Sequence, residues 1–219
     1  MKKKKTYELF IFDFDGTLAN SKLNIANSLN FALTIHGLEK VASEKIFPLI
    51  GKMSLDETFL FFYPELKKST VTELLKDFRK YQKENIEKEL VFFPEVLSTL
   101  QELSDQKKSL AILTTKHIDS ISYILKVFNI ERLFDVILGE GLITERKPAR
   151  QCVEYVLSSV SINKSNAVMI GDSEVDVLTA LNGGIDMIAV GHGTDSLDFL
   201  KEKGSTFSVN SFSEVLEFV

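Results

Sequence analysis

The chain is poor in several things. One cysteine, Cys152, is all that its 219 residues contain, so no internal disulfide forms and a reducing compartment is expected. That cysteine sits among Val153, Tyr155 and Val156 and reads as a small buried hydrophobe. No stretch approaches the ~20 apolar residues of a membrane-crossing helix. The N-terminal run Lys2 to Lys5 resembles the start of a secretory leader, but the apolar segment behind it, Leu9 to Phe12, is too short and meets Asp13. It reads as a solvated terminus, and a cytoplasmic location is expected. A net charge of -5 supplies no general basic field, so neither nucleic acid nor membrane is an expected partner. No GxGxxG string opens a helix; Gly191-His192-Gly193 does not qualify. His36, His117 and His192 are scattered and show no metal-ligand spacing. Repeats and low-complexity linkers are absent.

What remains is ordinary for a globular protein: 44% hydrophobic and 26% charged residues. Short, nearly continuous apolar runs fall at Leu9–Phe12, Leu110–Leu113, Val136–Leu138, Ala167–Ile170 and Met187–Val190. Continuous rather than alternating runs mark strands covered on both faces. Helical stripes separate the later runs: Val96, Leu97, Leu100 and Leu103; then Ile121, Ile124, Leu125 and Phe128; then Val153, Val156, Leu157 and Val160. This alternation predicts an α/β fold with a doubly wound, parallel, Rossmann-like sheet. Residues 19–90 break it, offering only helical stripes punctuated by Pro48 and Pro64. They are expected to form an inserted helical subdomain, with the α/β core made of 1–18 and 91–219. Phe59, Phe61 and Phe62 are expected to pack this insert, or one of them to face the substrate cleft, and Lys67–Lys68 to be a solvated face.

In an open α/β sheet ligands bind beyond the carboxyl ends of the strands. That rule selects Asp13-Phe14-Asp15-Gly16-Thr17, Thr114-Thr115-Lys116, Lys147 after Gly139-Glu140-Gly141, and Gly171-Asp172-Ser173. Asp13 and Asp15 are two apart, which in extended chain puts both carboxylates on one face. Such a pair needs a cation or a shared proton, and hard oxygen donors suit Mg2+. A helix starting near Ser173 would bring Asp176 toward Asp172; taken alone, that pair is better explained as a plain helix cap, but beside Asp13 and Asp15 the cap becomes the weaker reading. Thr114 and Thr115 are candidates for holding phosphate oxygens, or for a simple turn. Lys147 precedes Pro148, which suits the first position of a helix, and its ammonium is a candidate partner for a phosphoryl oxygen.

The string DFDGTL from Asp13 to Leu18 resembles the first motif of the haloacid dehalogenase-like hydrolases. ILTTK from Ile112, Lys147-Pro148, and MIGDSEVDVLTALNGG from Met169 are similar to the second, third and fourth, in order. The insert 19–90 looks like the family's helical cap, which would make 1–18 and 91–219 the catalytic core, and the spacing and final segment look most like the phosphoglycolate phosphatase branch. The resemblance implies a Mg2+-dependent phosphatase acting on a small phosphorylated metabolite. Asp13 would be the nucleophile and Asp15 the general acid and base. Asp13, the Asp15 carbonyl and Asp172 would hold the metal, assisted by Asp176. Thr114, Thr115 and Lys147 would hold the phosphoryl group. Inorganic pyrophosphatase or nucleotidase activity is the alternative, and a non-catalytic phosphate-binding regulator is the alternative of a different class. Asn20, Arg150 and Asn182 depart from the family pattern, and Leu49 to Met53 lacks the arginine of mutase relatives. Neither oligomeric state nor the accepted leaving group is readable.

Overall fold

The computed structural model describes residues 5–219, so Lys2, Lys3 and Lys4 lie outside it. The chain divides into two compact units. One runs to Asn20 and resumes over Phe92–Val219; the other is Ser21–Val91.

The chain opens with strand β1 (Leu9–Phe12) and the short β2 (Ala19–Asn20). The second unit follows as helices α1 (Lys22–Ile35), α2 (Ser43–Ile46), α3 (Leu55–Phe62) and α4 (Lys68–Glu89). Ser54 and Glu57 form a reciprocal capping box at the start of α3. Ile25, Leu29, Leu33, Phe59, Leu74 and Phe78 make this unit's own apolar core. Phe59 is fully buried and Phe62 packs beside it, whereas Phe61 is largely exposed, so one of the three phenylalanines expected inside faces out. Its position in α3, two residues past Phe59, puts it on the opposite side of the helix. Lys67 and Lys68 are exposed.

The chain passes from the second unit to the first within β3 (Val91–Phe92), and the first unit continues with α5 (Val96–Asp105), β4 (Ser109–His117), α6 (Ile118–Val127) and β5 (Val136–Glu140). It ends with α7 (Arg150–Val160), β6 (Ala167–Gly171), α8 (Glu174–Gly183), β7 (Asp186–Val190), α9 (Leu197–Lys203) and β8 (Phe207–Val209). Six strands form one parallel sheet in the order β5-β4-β1-β6-β7-β8. This is the doubly wound α/β arrangement expected. The sixth strand, β8, has no counterpart among the apolar runs of the sequence: it is three residues long at an edge, too short for a periodic signal.

All four residues of β1 are fully buried, because helices cover both faces and neighbours occupy both edges. The core beneath them includes Leu113, Val153, Val156, Met169, Val177, Met187 and Cys152. Cys152 is buried as expected, and burial raises its thiol pKa. β1 lies between β4 and β6, the strands on which chain direction around the sheet reverses. Such a switch point opens a crevice at the strand ends. Among the described residues, no helix is long and apolar enough to cross a membrane.

Candidate active site

β1 stops at Phe12, and a tight turn follows. The Phe14 carbonyl accepts from the amides of Thr17, Leu18 and Ala19 at 3.3, 3.0 and 3.1 Å. Gly16 makes the turn possible with φ +92°. A side chain there would also strike the Asp172 carboxylate.

This turn separates the two aspartates. Asp13, still tied to β6 through its amide and the Ile170 carbonyl at 2.9 Å, points to Lys147. Asp15 goes elsewhere: Lys116 Nζ donates to both of its oxygens, each at 2.9 Å. The two carboxylates thus meet different ammonium groups, Asp13 that of Lys147 and Asp15 that of Lys116. Lys116 is aimed by an irregularity in the β4–β5 register between Leu113 and His117. Its amide donates to Thr114 Oγ1 at 3.1 Å, and its ammonium lies 5.9 Å from the Phe14 ring centroid.

Lys147 is 7% exposed, against the ordinary fate of a lysine. Its ammonium donates to Asp13 Oδ1 at 2.7 Å, Asp176 Oδ1 at 2.6 Å and the Leu113 carbonyl at 3.2 Å, which uses all three protons. Pro148 does not begin the helix, contrary to the expectation from its position. α7 starts at Arg150, and the Lys147–Pro148 peptide, which is cis, belongs to the preceding loop. A loop rather than a helix turn lets the lysine reach inward. Asn182, one of the departures from the family pattern, donates to the Pro148 carbonyl at 2.9 Å.

Asp172 and Asp176 sit at the β6–α8 junction. Asp176 is fully buried, and its Oδ2 accepts from the Asp172 amide at 3.1 Å, the Ser173 amide at 3.0 Å and the Ser173 hydroxyl at 2.7 Å. Asp172 Oδ1 accepts from the Thr17 hydroxyl at 2.7 Å, and its Oδ2 from the Thr194 amide at 2.7 Å. Asp13, Asp172 and Asp176 each place a carboxylate oxygen within 4.8 Å of the others'. Thr114 is buried and Thr115 half-buried or deeper on β4, beside the strand residue Leu113 that receives Lys147. The structure thus joins Asp13, Lys147, Asp172 and Asp176 in one network and pairs Asp15 with Lys116.

Three buried carboxylates and one ammonium do not balance. Burial pushes the Asp13 carboxyl up to about 8; Lys147 opposes this, while Asp176 and Asp172 add to it. Burial likewise raises Asp172 to about 6, helped by Asp176 and resisted by the Thr17 and Thr194 donors. Burial alone would neutralise Lys147, but Asp13 and Asp176 outweigh it and hold the ammonium above the ordinary lysine range. A hard divalent cation fits this excess of anionic oxygen. Asp13 Oδ2 accepts no hydrogen bond among the described residues, and Asp172 retains lone pairs on both oxygens. Asp176 already gives its oxygens to four donors, so it serves the frame more than a cation.

Lys116, Thr17, Ser173 and Thr194 are not singled out by sequence reasoning for any role here. Lys116 ends the ILTTK string, and only its placement beyond the β4 bulge reveals a partner 101 residues away.

A family model described as haloacid dehalogenase-like hydrolase matches residues 10–190. The chain belongs to the haloacid dehalogenase-like hydrolases. Among its relatives is a protein named pyrophosphatase PpaX from Halalkalibacterium halodurans, 26% identical over 209 residues, covering 95% of each chain. Another is named phosphoglycolate phosphatase, from Psychrobacter arcticus, 28% identical over 225 residues and covering 97% of this chain and 95% of that one. A solved haloacid dehalogenase-like family hydrolase from Streptococcus pneumoniae superposes with a TM-score of 0.81 at 26% identity, covering 96% of this chain and 97% of its own.

Proposed function

We propose that this protein is a Mg2+-dependent phosphatase that hydrolyses a small phosphorylated metabolite through a phosphorylated Asp13. One observation carries the reading: a buried carboxylate at the end of the central strand, anchored on one oxygen by Lys147 and open on the other, beside Asp172. A buried anion held in one orientation is a nucleophile prepared for an electrophilic phosphorus.

In the first step an Asp13 oxygen bonds to phosphorus while the ester P–O bond breaks. The leaving oxygen takes a proton from Asp15, which enters this step as the neutral acid rather than as the ion pair with Lys116. In the second step a water oxygen attacks the same phosphorus, its proton passes to Asp15, and the Asp13–phosphorus bond breaks. Phosphate leaves, and both carboxyl groups return to their starting forms. Lys147 keeps Asp13 in place and offsets negative charge as two anions meet. Thr114 and Thr115, at the end of β4, would hold phosphoryl oxygens. Asp13 and Asp172, with the Asp15 carbonyl, would hold Mg2+, which supplies positive charge against the phosphoryl oxygens. The unit Ser21–Val91, which in chain order follows the nucleophile strand and its turn, would act as a cap that selects the leaving group.

Relatives named phosphoglycolate phosphatase and pyrophosphatase support two substrate classes, a phosphate monoester first and pyrophosphate second. Purified protein with Mg2+ is assayed for phosphate release from a panel holding phosphoglycolate, other small esters, nucleotides and pyrophosphate. Release from none of them, with Mg2+ present and the protein folded, overturns the reading. Pyrophosphate ahead of every ester replaces the first class by the second.

A further inference from the structure

The loop after β7 contains His192, which no part of the proposed reaction uses. Its Nε2 lies 2.9 Å from the Thr17 carbonyl oxygen. A carbonyl only accepts, so Nε2 carries the proton and donates it. The imidazole is stacked on Phe93, with ring centroids 4.1 Å apart and planes at 38°, and has Phe212 on another side at 6.2 Å. The ring is thus held by aromatic packing and aimed at a single acceptor.

Thr17 is fully buried, and its hydroxyl is the donor to Asp172 Oδ1 at 2.7 Å. Two residues after His192, the Thr194 amide is the donor to Asp172 Oδ2, also at 2.7 Å. Each oxygen of Asp172 therefore has one donor, and the two donors come from the loops that His192 joins. Space is tight as well: a Cβ at Gly16 or at Gly193 would collide with the Asp172 side chain. Neither donor lies within a helix or a strand ladder. Bonds from the Asp195 amide to the Asp172 carbonyl and from the Glu174 amide to Asp195 Oδ2, both at 3.0 Å, tie the β7 loop to the β6–α8 junction, whereas the His192–Thr17 bond ties it to the β1 loop.

We propose that His192 is a positioning residue for cation binding, a strut that joins the β1 and β7 loops and so sets the orientation of the Asp172 carboxylate. It acts through the Thr17 peptide and the 193–194 backbone, not by touching the metal. The proposal rests on the reading of Asp172 as a metal carboxylate. Partners of this outer kind are commonly worth 10–100-fold in metal affinity.

The test is calorimetric titration of the substrate-free full chain with MgCl2, together with melting temperatures in chelator. His192→Phe keeps a stacking ring and removes the donor. His192→Gln restores an amide N–H near the Nε2 position, whereas His192→Asn places the same group too short. His192→Phe and His192→Asn are expected to weaken Mg2+ binding by about tenfold or more, and His192→Gln by no more than about threefold. Parent-like Mg2+ affinity in His192→Phe overturns the proposal. So does an equal loss in Gln, Asn and Phe, which would mark a general packing role. If His192→Phe does not fold, the Gln and Asn pair decides in the same way. A parent that binds no Mg2+ overturns the metal reading and this proposal together; a parent that binds it with His192→Phe unchanged overturns only the strut.

Discussion

Lys116 grips Asp15 by both carboxylate oxygens at 2.9 Å, with the lysine and aspartate side chains 6% and 8% exposed. An ion pair this well shielded helps to hold the Asp15 carboxylate in one orientation beside the Gly16 turn. Lys116→Met is therefore predicted to lower kcat by about tenfold or more, within the 10²–10⁴-fold that a positioned acid–base group supplies. Mg2+ affinity should stay near the parent value, since Asp15 contributes no carboxylate to the Asp13, Asp172 and Asp176 group. Steady-state kinetics across a Mg2+ titration measures both. Unchanged kcat removes Lys116 from the reaction.

Asp13→Asn keeps the shape of the side chain and removes the nucleophilic anion. Turnover is predicted to fall by about 10³-fold or more for every substrate, the order seen when a nucleophile is lost. The fold should persist, because relieving one of three mutually repelling carboxylates offsets the weakened bond to Lys147. Phosphate release and circular dichroism on one preparation give the answer; activity within a few-fold of the parent rules out Asp13 as the nucleophile.

Lys147→Met fills the same space without the charge. It leaves Asp13 and Asp176 buried with no ammonium between them. Breaking a buried pair by removing one partner costs about 3–5 kcal/mol. The urea midpoint should fall at unchanged slope in metal-free buffer, and Mg2+ should recover part of the loss. An unshifted midpoint contradicts the buried ion pair.

Activity is predicted to vanish on exhaustive chelation, to return with Mg2+, and to be inhibited by Ca2+. Ca2+ takes more ligands at longer distances than the compact octahedron of Mg2+, which would displace Asp13 from phosphorus. Full activity in the presence of chelator is the contrary result.

Far from the site, Asp186 accepts from Tyr7 Oη at 2.6 Å and pairs with Lys5. Burial pushes its carboxyl up, but the bonds from Lys5, Tyr7 and Thr206 prevail and hold it below the usual range. A depressed folded pKa means stability that is present above the unfolded value of about 3.9 and lost as pH falls through the folded one. Tyr7→Phe should cost about 0.5–1.5 kcal/mol at neutral pH, the worth of one hydrogen bond. That difference should shrink below about pH 4, as Asp186 protonates. Denaturation midpoints of both proteins from pH 7 to pH 3 measure it; a pH-independent gap would show that Asp186 is not involved.

The sheet is legible in the sequence because its strands are covered on both faces. Continuous apolar runs such as Ile11 to Phe12 and Val168 to Ile170 carry that signal. β8 lacks it, being an edge of three residues. At the site, strand ends point to the rim, but not to who pairs with whom. Lys116 lies in an irregular stretch of β4 and Asp15 in the turn beyond the end of β1, and no local pattern announces that the two meet. His192 shows the same gap, since its single acceptor is a backbone oxygen 175 residues away.

Those separations bear on how the protein comes into being. Asp15 waits for a partner 101 residues downstream, Asp13 for one 134 downstream and Thr17 for one 155 downstream. A ribosome releasing the chain from its N-terminus would expose Asp13 early and its neighbours last. No partial chain that stops before β6 holds Asp172, so unfinished copies lack the assembled carboxylate group altogether. During refolding, helical signal from the locally connected unit Ser21–Val91 should appear before activity does, because links between distant parts of a chain are the slow ones to close.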